Sequence, residues 1–219
     1  MKLSATLKTS LQQAVTKYHA ALPGSVAARY LEEDRGLPLD LIENFRLGFV
    51  SEPQVGHEMF RGRLAIPYIR KSVEGNWSVI GIKYRVIPGV QCFRDDEKYL
   101  NAAGTKHRLY NTLDAIKNDD EISIAEGEID ALTASVYGIP CVGAPGVTSW
   151  KDHFTEIFMG YETVYALCDG DTAGTEFGEF LAGKIPNTRI IPMDRGEDVN
   201  STVHQYGVDK ILERMGKSK

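Results

Sequence analysis

Apolar residues recur along this chain with two periods. Between residues 3 and 22, Leu3, Leu7, Leu11, Ala14, Val15, Tyr18 and Leu22 fall at three- and four-residue intervals, the spacing of one helical face. Pro23-Gly24 ends that segment. Ser25 can cap a second helix running to Glu33, with Gly36 beyond its end. Pro38 opens a third short helix over Leu39–Phe45. From Met59 the period shortens. Arg61–Tyr68 leads into a strand, Trp77–Tyr84 alternates, and Gly75-Asn76 supplies a turn that lets the two pair.

The second half of the chain reads as strand, acidic turn, helix, repeated. Ile122–Ala125, Thr163–Cys168 and Arg189–Met193 are short apolar runs, with Pro140–Gly143 a fourth. Helix-length segments separate them: 127–137, a stretch that Ser149 could cap through Met159, and one that Thr172 could cap through Ala182. Val199–Tyr206 and Val208–Met215 predict two terminal helices, and Gly216–Lys219 a loose tail. Short apolar runs bounded by glycine and acids, alternating with amphipathic segments, predict buried parallel strands in an α/β fold.

In such sheets ligands gather outside the carboxyl ends of the strands. Here those ends are acidic. The first run stops at Glu126-Gly127, the second at Asp169-Gly170-Asp171, and the third is followed by Asp194, Glu197 and Asp198. The alternate spacing of Asp169 and Asp171 can aim both carboxylates the same way. Carboxylates that meet in one crevice raise each other's pKa, and a hard divalent cation relieves the conflict. Oxygen ligands suit Mg²⁺, which keeps positions open for substrate phosphates. The chemistry implied is metal-assisted phosphoryl transfer or phosphodiester hydrolysis.

Charge sharpens this picture. The 219 residues carry a net charge of −5, unevenly spread. Residues 58–110 hold ten basic and five acidic side chains, whereas residues 111–219 hold nine basic and nineteen acidic. A basic part to attract phosphate beside an acidic part to work on it suits a polynucleotide enzyme. Arg63, Arg85, Lys98, Lys106 and Arg108 interleave with Tyr84, Tyr99 and Tyr110, offering cations for phosphates and rings for bases. Cys92, Cys141 and Cys168 form no CxxC pair, which excludes a zinc ribbon and argues for a reducing cytoplasm. No apolar run approaches membrane-spanning length, and the first residues lack a signal peptide's apolar stretch.

Taken together, these residues resemble the catalytic core of DnaG-type bacterial and phage DNA primases. Glu126-Gly127-Glu128-Ile129-Asp130 is similar to the first TOPRIM motif, EGxxD, and Asp169-Gly170-Asp171-Thr172-Ala173-Gly174 to DGDxAG. Gly196-Glu197-Asp198-Val199-Asn200 resembles the later acidic motif, with Glu197 where a Lys is usual and Asn200 where an acid is common. Lys98-Tyr99-Leu100-Asn101, with Arg63 and Arg85, resembles the basic subdomain. The resemblance implies an α+β basic subdomain over 1–118, a TOPRIM domain with a four-stranded parallel sheet over 119–206, and a C-terminal helix and tail over 207–219. It implies Glu126, Asp169 and Asp171 as catalytic residues. It also implies Mg²⁺ or Mn²⁺ on Glu126, Asp169, Asp171 and Asp198, with Asp130 in support. The choice among Asp194, Glu197, Asp198 and Asn200 for the last ligand stays open, with Asp198 preferred. Arg63, Arg85, Lys98, Tyr99, Asn101 and Lys106 would hold template or nucleotide.

The reaction implied is primer synthesis from ribonucleoside triphosphates on single-stranded DNA, in the cytoplasm of a bacterial or phage-infected cell. A replicative helicase and a separate zinc-binding module are the expected partners. Two other readings compete: a TOPRIM nuclease, and a non-catalytic module that binds single-stranded DNA or a helicase.

Overall fold

The computed structural model describes residues 3–72, 74–102, 105–116 and 120–217. Two compact units divide the chain between Lys106 and His107. The boundary expected at 118 lies outside the described residues. The division falls earlier because segment 107–116 is tied to the parallel sheet. Tyr110 and Gly143 exchange backbone hydrogen bonds of 2.8 and 3.1 Å. The buried Asp114 carboxylate accepts from Ser135 Oγ at 2.6 Å and Cys141 N at 3.0 Å.

In the first unit, helix α1 spans Ala5–Ala20 and is capped by Ser4, whose hydroxyl accepts from Leu7 N. Helix α2, Val26–Arg29, is capped by Ser25 as expected and passes into a π-helical turn at Tyr30–Asp34. Helix α3 spans Leu39–Ile42 and tightens to a 3₁₀ turn at Glu43–Phe45. An antiparallel sheet follows in chain order: β1 (Gly48–Phe49), β2 (Leu64–Lys71), β3 (Trp77–Arg85) and β4 (Tyr99–Asn101). Strands β1 and β4 are too short for periodicity to reveal; each exists because a longer neighbour offers it an edge. Ala14, Val15 and Tyr18 of α1 pack with Ala65, Val79, Ile82 and Tyr84 of the sheet.

The second unit is a four-stranded parallel sheet in the order β6-β5-β7-β8. Its elements are β5 (Glu121–Ala125), α4 (Glu128–Val136), β6 (Cys141–Gly143), α5 (Asp152–Phe158), β7 (Thr163–Cys168), α6 (Thr172–Lys184), β8 (Thr188–Pro192), α7 (Val199–Tyr206) and α8 (Asp209–Arg214). The four-residue core of β5 and the five-residue core of β7 are buried on both faces, which is why they read as unbroken apolar runs. Ile122, Ile124, Val142, Val164 and Ala166 pack with Trp150, Phe154, Phe158, Phe177 and Leu181. Strands added on either side of β5 create a topological switch point between β5 and β7, and the carboxyl ends of the strands there are where such sheets bind ligands.

Three local expectations change. Ser149 does not cap α5; it sits in a 3₁₀ turn, and the helix waits until Asp152. The cause is Trp150, extended and buried between Phe154 and Phe158, with its indole N–H donating to Thr155 Oγ1 at 3.1 Å. Thr172 is not the cap of α6; Asp171 is, its Oδ1 accepting from Gly174 N at 2.8 Å. In the tail, Lys217 is tied to Glu121 by an ion pair; Ser218 and Lys219 lie outside the described residues. Among the described residues no helix is long and apolar enough to cross a membrane.

Candidate active site

The acidic residues singled out from the sequence lie on the turns that leave β5, β7 and β8, and hydrogen bonds bind these turns together. Glu126 follows β5 directly, and its Oε1 accepts from Asp169 N, just after β7, at 3.1 Å. This bond crosses the switch point. The Asp169-Gly170-Asp171 turn is fastened in its turn to the loop after β8. Gly170 N donates to Glu197 O at 2.8 Å, and Gly196 N donates to Gly170 O at 2.9 Å. The approach is so close that a Cβ on Gly170 would lie 1.8 Å from Asp194 O. Only glycine can occupy the centre of this Asp-Gly-Asp.

Asp130 joins α4 to the same cluster. Its Oδ1 accepts from Asn200 N at 3.1 Å, and its other oxygen would lie 2.8 Å from a Cβ on Gly127. Asn200, which stands where an acid was expected, is 1% exposed and donates through Nδ2 to Thr133 Oγ1 at 2.9 Å. It needs a donor there, so an amide fits where a carboxylate would not. Asp198 caps α7, with Oδ1 accepting from Ser201 N at 2.6 Å in a reciprocal capping box. Asp194 is drawn away into an ion pair with Arg214 at 2.5 Å.

Electrostatics mark Glu126 out. Burial holds its carboxyl above the ordinary glutamate value, and the charges of Asp171 and Asp130 push the same way against the bond from Asp169 N. The buried thiol of Cys168 is pushed up to about 12, by burial first and then by Glu126 and Asp169, and stays protonated. A carboxylate with a raised pKa holds a proton more firmly than an ordinary glutamate does.

The donor set is all oxygen, which suits a hard cation such as Mg²⁺. It is not a ready-made cage: among the described residues no three His, Cys, Asp or Glu side chains form a metal cluster. One oxygen each of Glu126, Asp171 and Asp198 is already committed to a backbone N–H. The fit is to a cation held by one or two carboxylates, with water and substrate phosphates completing the shell.

The basic candidates lie in the first unit, and two of them do not meet solvent as expected. Arg63 is 0% exposed. Its Nη2 donates to Phe93 O and Arg94 O at 2.9 and 2.7 Å, and its Nη1 to Glu97 O at 3.0 Å. It braces the loop before β4 rather than offering its charge to a template. Arg85, 7% exposed, donates to the hydroxyls of Tyr30 and Tyr99. Lys98, Asn101 and Lys106 are exposed, and Tyr99 is half-buried. The Tyr99 ring gathers cations: Lys83 Nζ lies 4.1 Å from its centroid, with Arg85 at 5.2 Å and Lys98 at 5.8 Å. Lys83 was not singled out from sequence. Its alternation with Arg85 on one strand face is the signal that could have found it.

Comparison with known proteins bears on the fold that carries these residues. The Toprim-like family profile matches residues 123–203, from inside β5 to inside α7. Gene 57 protein of Mycobacterium phage D29 is 50% identical over 159 residues, covering 72% of this chain and 100% of that protein. The DNA primase of Haemophilus influenzae is 25% identical over an alignment of 242 positions, covering 93% of this chain and 40% of that protein. The chain belongs to the family of the phage Gene 57 protein, carries a Toprim-like domain, and is similar to the DnaG-type primases. Among solved structures, a DNA primase domain from Pseudomonas aeruginosa superposes with a TM-score of 0.75 at 22% identity, covering 97% of this chain and 78% of that one. The DnaG catalytic core superposes with a TM-score of 0.72 at 23% identity, covering 95% and 79%. These likenesses establish a primase-core fold with a TOPRIM sheet. The chain spans 40% of the length of the Haemophilus primase that it matches.

Proposed function

We propose that this chain catalyses metal-dependent nucleotidyl transfer, joining ribonucleoside triphosphates into short RNA primers on single-stranded DNA. The observation that carries this reading is the bond from Asp169 N to Glu126 Oε1 across the switch point, which sets a carboxyl of raised pKa beside the Asp-Gly-Asp turn. Of Glu126, Asp169, Asp171 and Asp198, one or two at a time would hold Mg²⁺ or Mn²⁺, with water and substrate phosphates as the other ligands. When bound, the cation supplies charge stabilisation at the attacking and leaving oxygens. Glu126 takes the proton of the attacking 3′-hydroxyl, a role matched to its raised pKa. Asp130 positions the site by holding the start of α7 through Asn200 N. In the first unit Lys98, Tyr99, Asn101 and Lys106, joined by Lys83, engage template or nucleotide, while Arg63 and Arg85 keep that surface in shape.

The partners proposed are a replicative helicase and a separate zinc-binding module, tested by pull-down from infected cells. The function itself is tested with labelled ribonucleotides, a single-stranded template and Mg²⁺ or Mn²⁺, with and without a cognate helicase. Primers should form, and Glu126→Gln or Asp169→Asn should abolish them. Robust synthesis by either variant refutes the roles assigned. Cleavage of DNA or RNA without added nucleotides would favour a nuclease instead.

A further inference from the structure

The carboxyl end of the parallel sheet also carries a cation that the acids do not use. The loop after β8 turns at Asp194–Glu197, closed by Glu197 N donating to Asp194 O at 2.9 Å. Gly196 takes the third position with φ +83°, which places Arg195 at the second. The turn is clamped from both sides. Asp194 is held by Arg214 at 2.5 Å, and Gly170 exchanges backbone bonds with Gly196 and Glu197. Arg195 is therefore displayed from a fixed backbone.

Its exposed side chain lines a cleft of about 460 Å³ shared with Asp169, Asp171, Thr172, Thr175 and Glu176. That volume suits a small ligand. Among the described residues no ion pair or hydrogen bond engages the Arg195 guanidinium, although carboxylates line the same cleft. A guanidinium bonded to none of its acidic neighbours is placed for an anion that arrives with its own countercharge. A nucleoside triphosphate carrying a divalent cation is such a ligand. The cation answers the carboxylates, and the planar fork of arginine donates to phosphate oxygens two at a time. The Thr172 hydroxyl stands at the start of the 13-residue helix α6, whose N-terminal dipole favours phosphate. Thr175 takes no part as a donor, because its hydroxyl is spent on Asp171 O at 3.1 Å.

We propose that Arg195 binds the β- and γ-phosphates of the incoming nucleotide and then the departing pyrophosphate. This rests on the nucleotidyl-transfer reading and names the substrate contact within it. The test measures binding directly, by calorimetry on the full chain in Mg²⁺, with ATP, pyrophosphate and AMP as probes. Arg195→Ala should weaken ATP and pyrophosphate about tenfold while AMP stays within about twofold. Arg195→Lys should recover part of the loss, since lysine restores charge but not the fork. In primer synthesis the same alanine variant should raise KM for ribonucleotides more than it lowers kcat. A thermal melt matching the wild type separates these effects from misfolding.

Equal ATP affinity in wild type and Arg195→Ala overturns the assignment. So does an AMP affinity that falls as far as that for ATP, or a wild-type chain that binds no ATP. If the wild type binds triphosphate through Arg195 but makes no primer, the contact stands and the polymerase reading falls. If primers form and Arg195→Ala leaves both KM and ATP affinity unchanged, the reverse holds.

Discussion

Replacing Arg63 separates a structural cation from a template-binding one. Arg63→Met keeps the length of the side chain and removes its donors. Three loop carbonyls, those of Phe93, Arg94 and Glu97, then lose partners now 2.7 to 3.0 Å away. Hydrogen bonds from a charged donor contribute roughly 1.5–3 kcal/mol each. Against that, the variant no longer buries a cation, which costs several kcal/mol, and it frees an Nε that has no partner among the described residues. Some of the carbonyls regain water, because Phe93 and Arg94 are exposed. The net loss is about 3 kcal/mol, a large share of the 5–15 kcal/mol that holds a domain. In a unit of this size it lowers Tm by about 10–20 °C.

Each unit has its own tryptophan, Trp77 in the first and Trp150 in the second. Urea unfolding followed by Trp77 fluorescence in a Trp150→Phe background therefore reports the unit that holds Arg63. Single-stranded DNA affinity, measured well below the melting point, should fall less than threefold. If Arg63→Met keeps its stability within about 0.5 kcal/mol but loses DNA affinity with a reduced salt slope, the bracing role is wrong and Arg63 reaches phosphate.

Three further outcomes follow from the second unit. Gly170→Ala would drive a Cβ to 1.8 Å from Asp194 O, so it should cost about 3 kcal/mol by Trp150-reported unfolding and disable the site; full stability would show the loops able to part. Asn200→Asp, which restores the usual acid, should instead destabilise by at least about 2 kcal/mol at neutral pH, because a carboxylate cannot donate to Thr133 and is repelled by Asp130; a neutral or stabilising result by urea titration refutes this. Glu126 titrates above its unfolded value, so its contribution to stability is full below the unfolded pKa and is lost as pH rises through the folded one. Glu126→Gln should therefore melt above the wild type at about pH 8 without metal, with the gap closing towards about pH 4; a gap that widens on acidification contradicts the assignment.

Much of the second unit was legible in the sequence because its signals are local. A buried strand shows as an unbroken apolar run, so β5 and β7 could be read almost residue by residue, and their acid-glycine ends with them. Strand β8 was placed but not buried as expected: it is the sheet's edge, with Arg189, Ile190 and Pro192 exposed and Ile191 alone buried. Caps were less legible. Asp171 and Thr172 are adjacent and both can cap, and only the backbone at Asp171 decides between them. Nothing local separates Arg63, which folds inward onto carbonyls thirty or more residues away, from Lys98, which stays in water. The same holds for Arg195, whose importance comes from a turn pinned to Gly170 across the sheet. The sequence alone determined which longer strands form and which turns are acidic, since burial and turn chemistry act over a few residues, whereas β1 and β4 needed a neighbouring strand. Tertiary structure alone decided which charges are buried, which are spent on caps and which stand free, because a charged group's partner is chosen by packing between segments far apart in the chain.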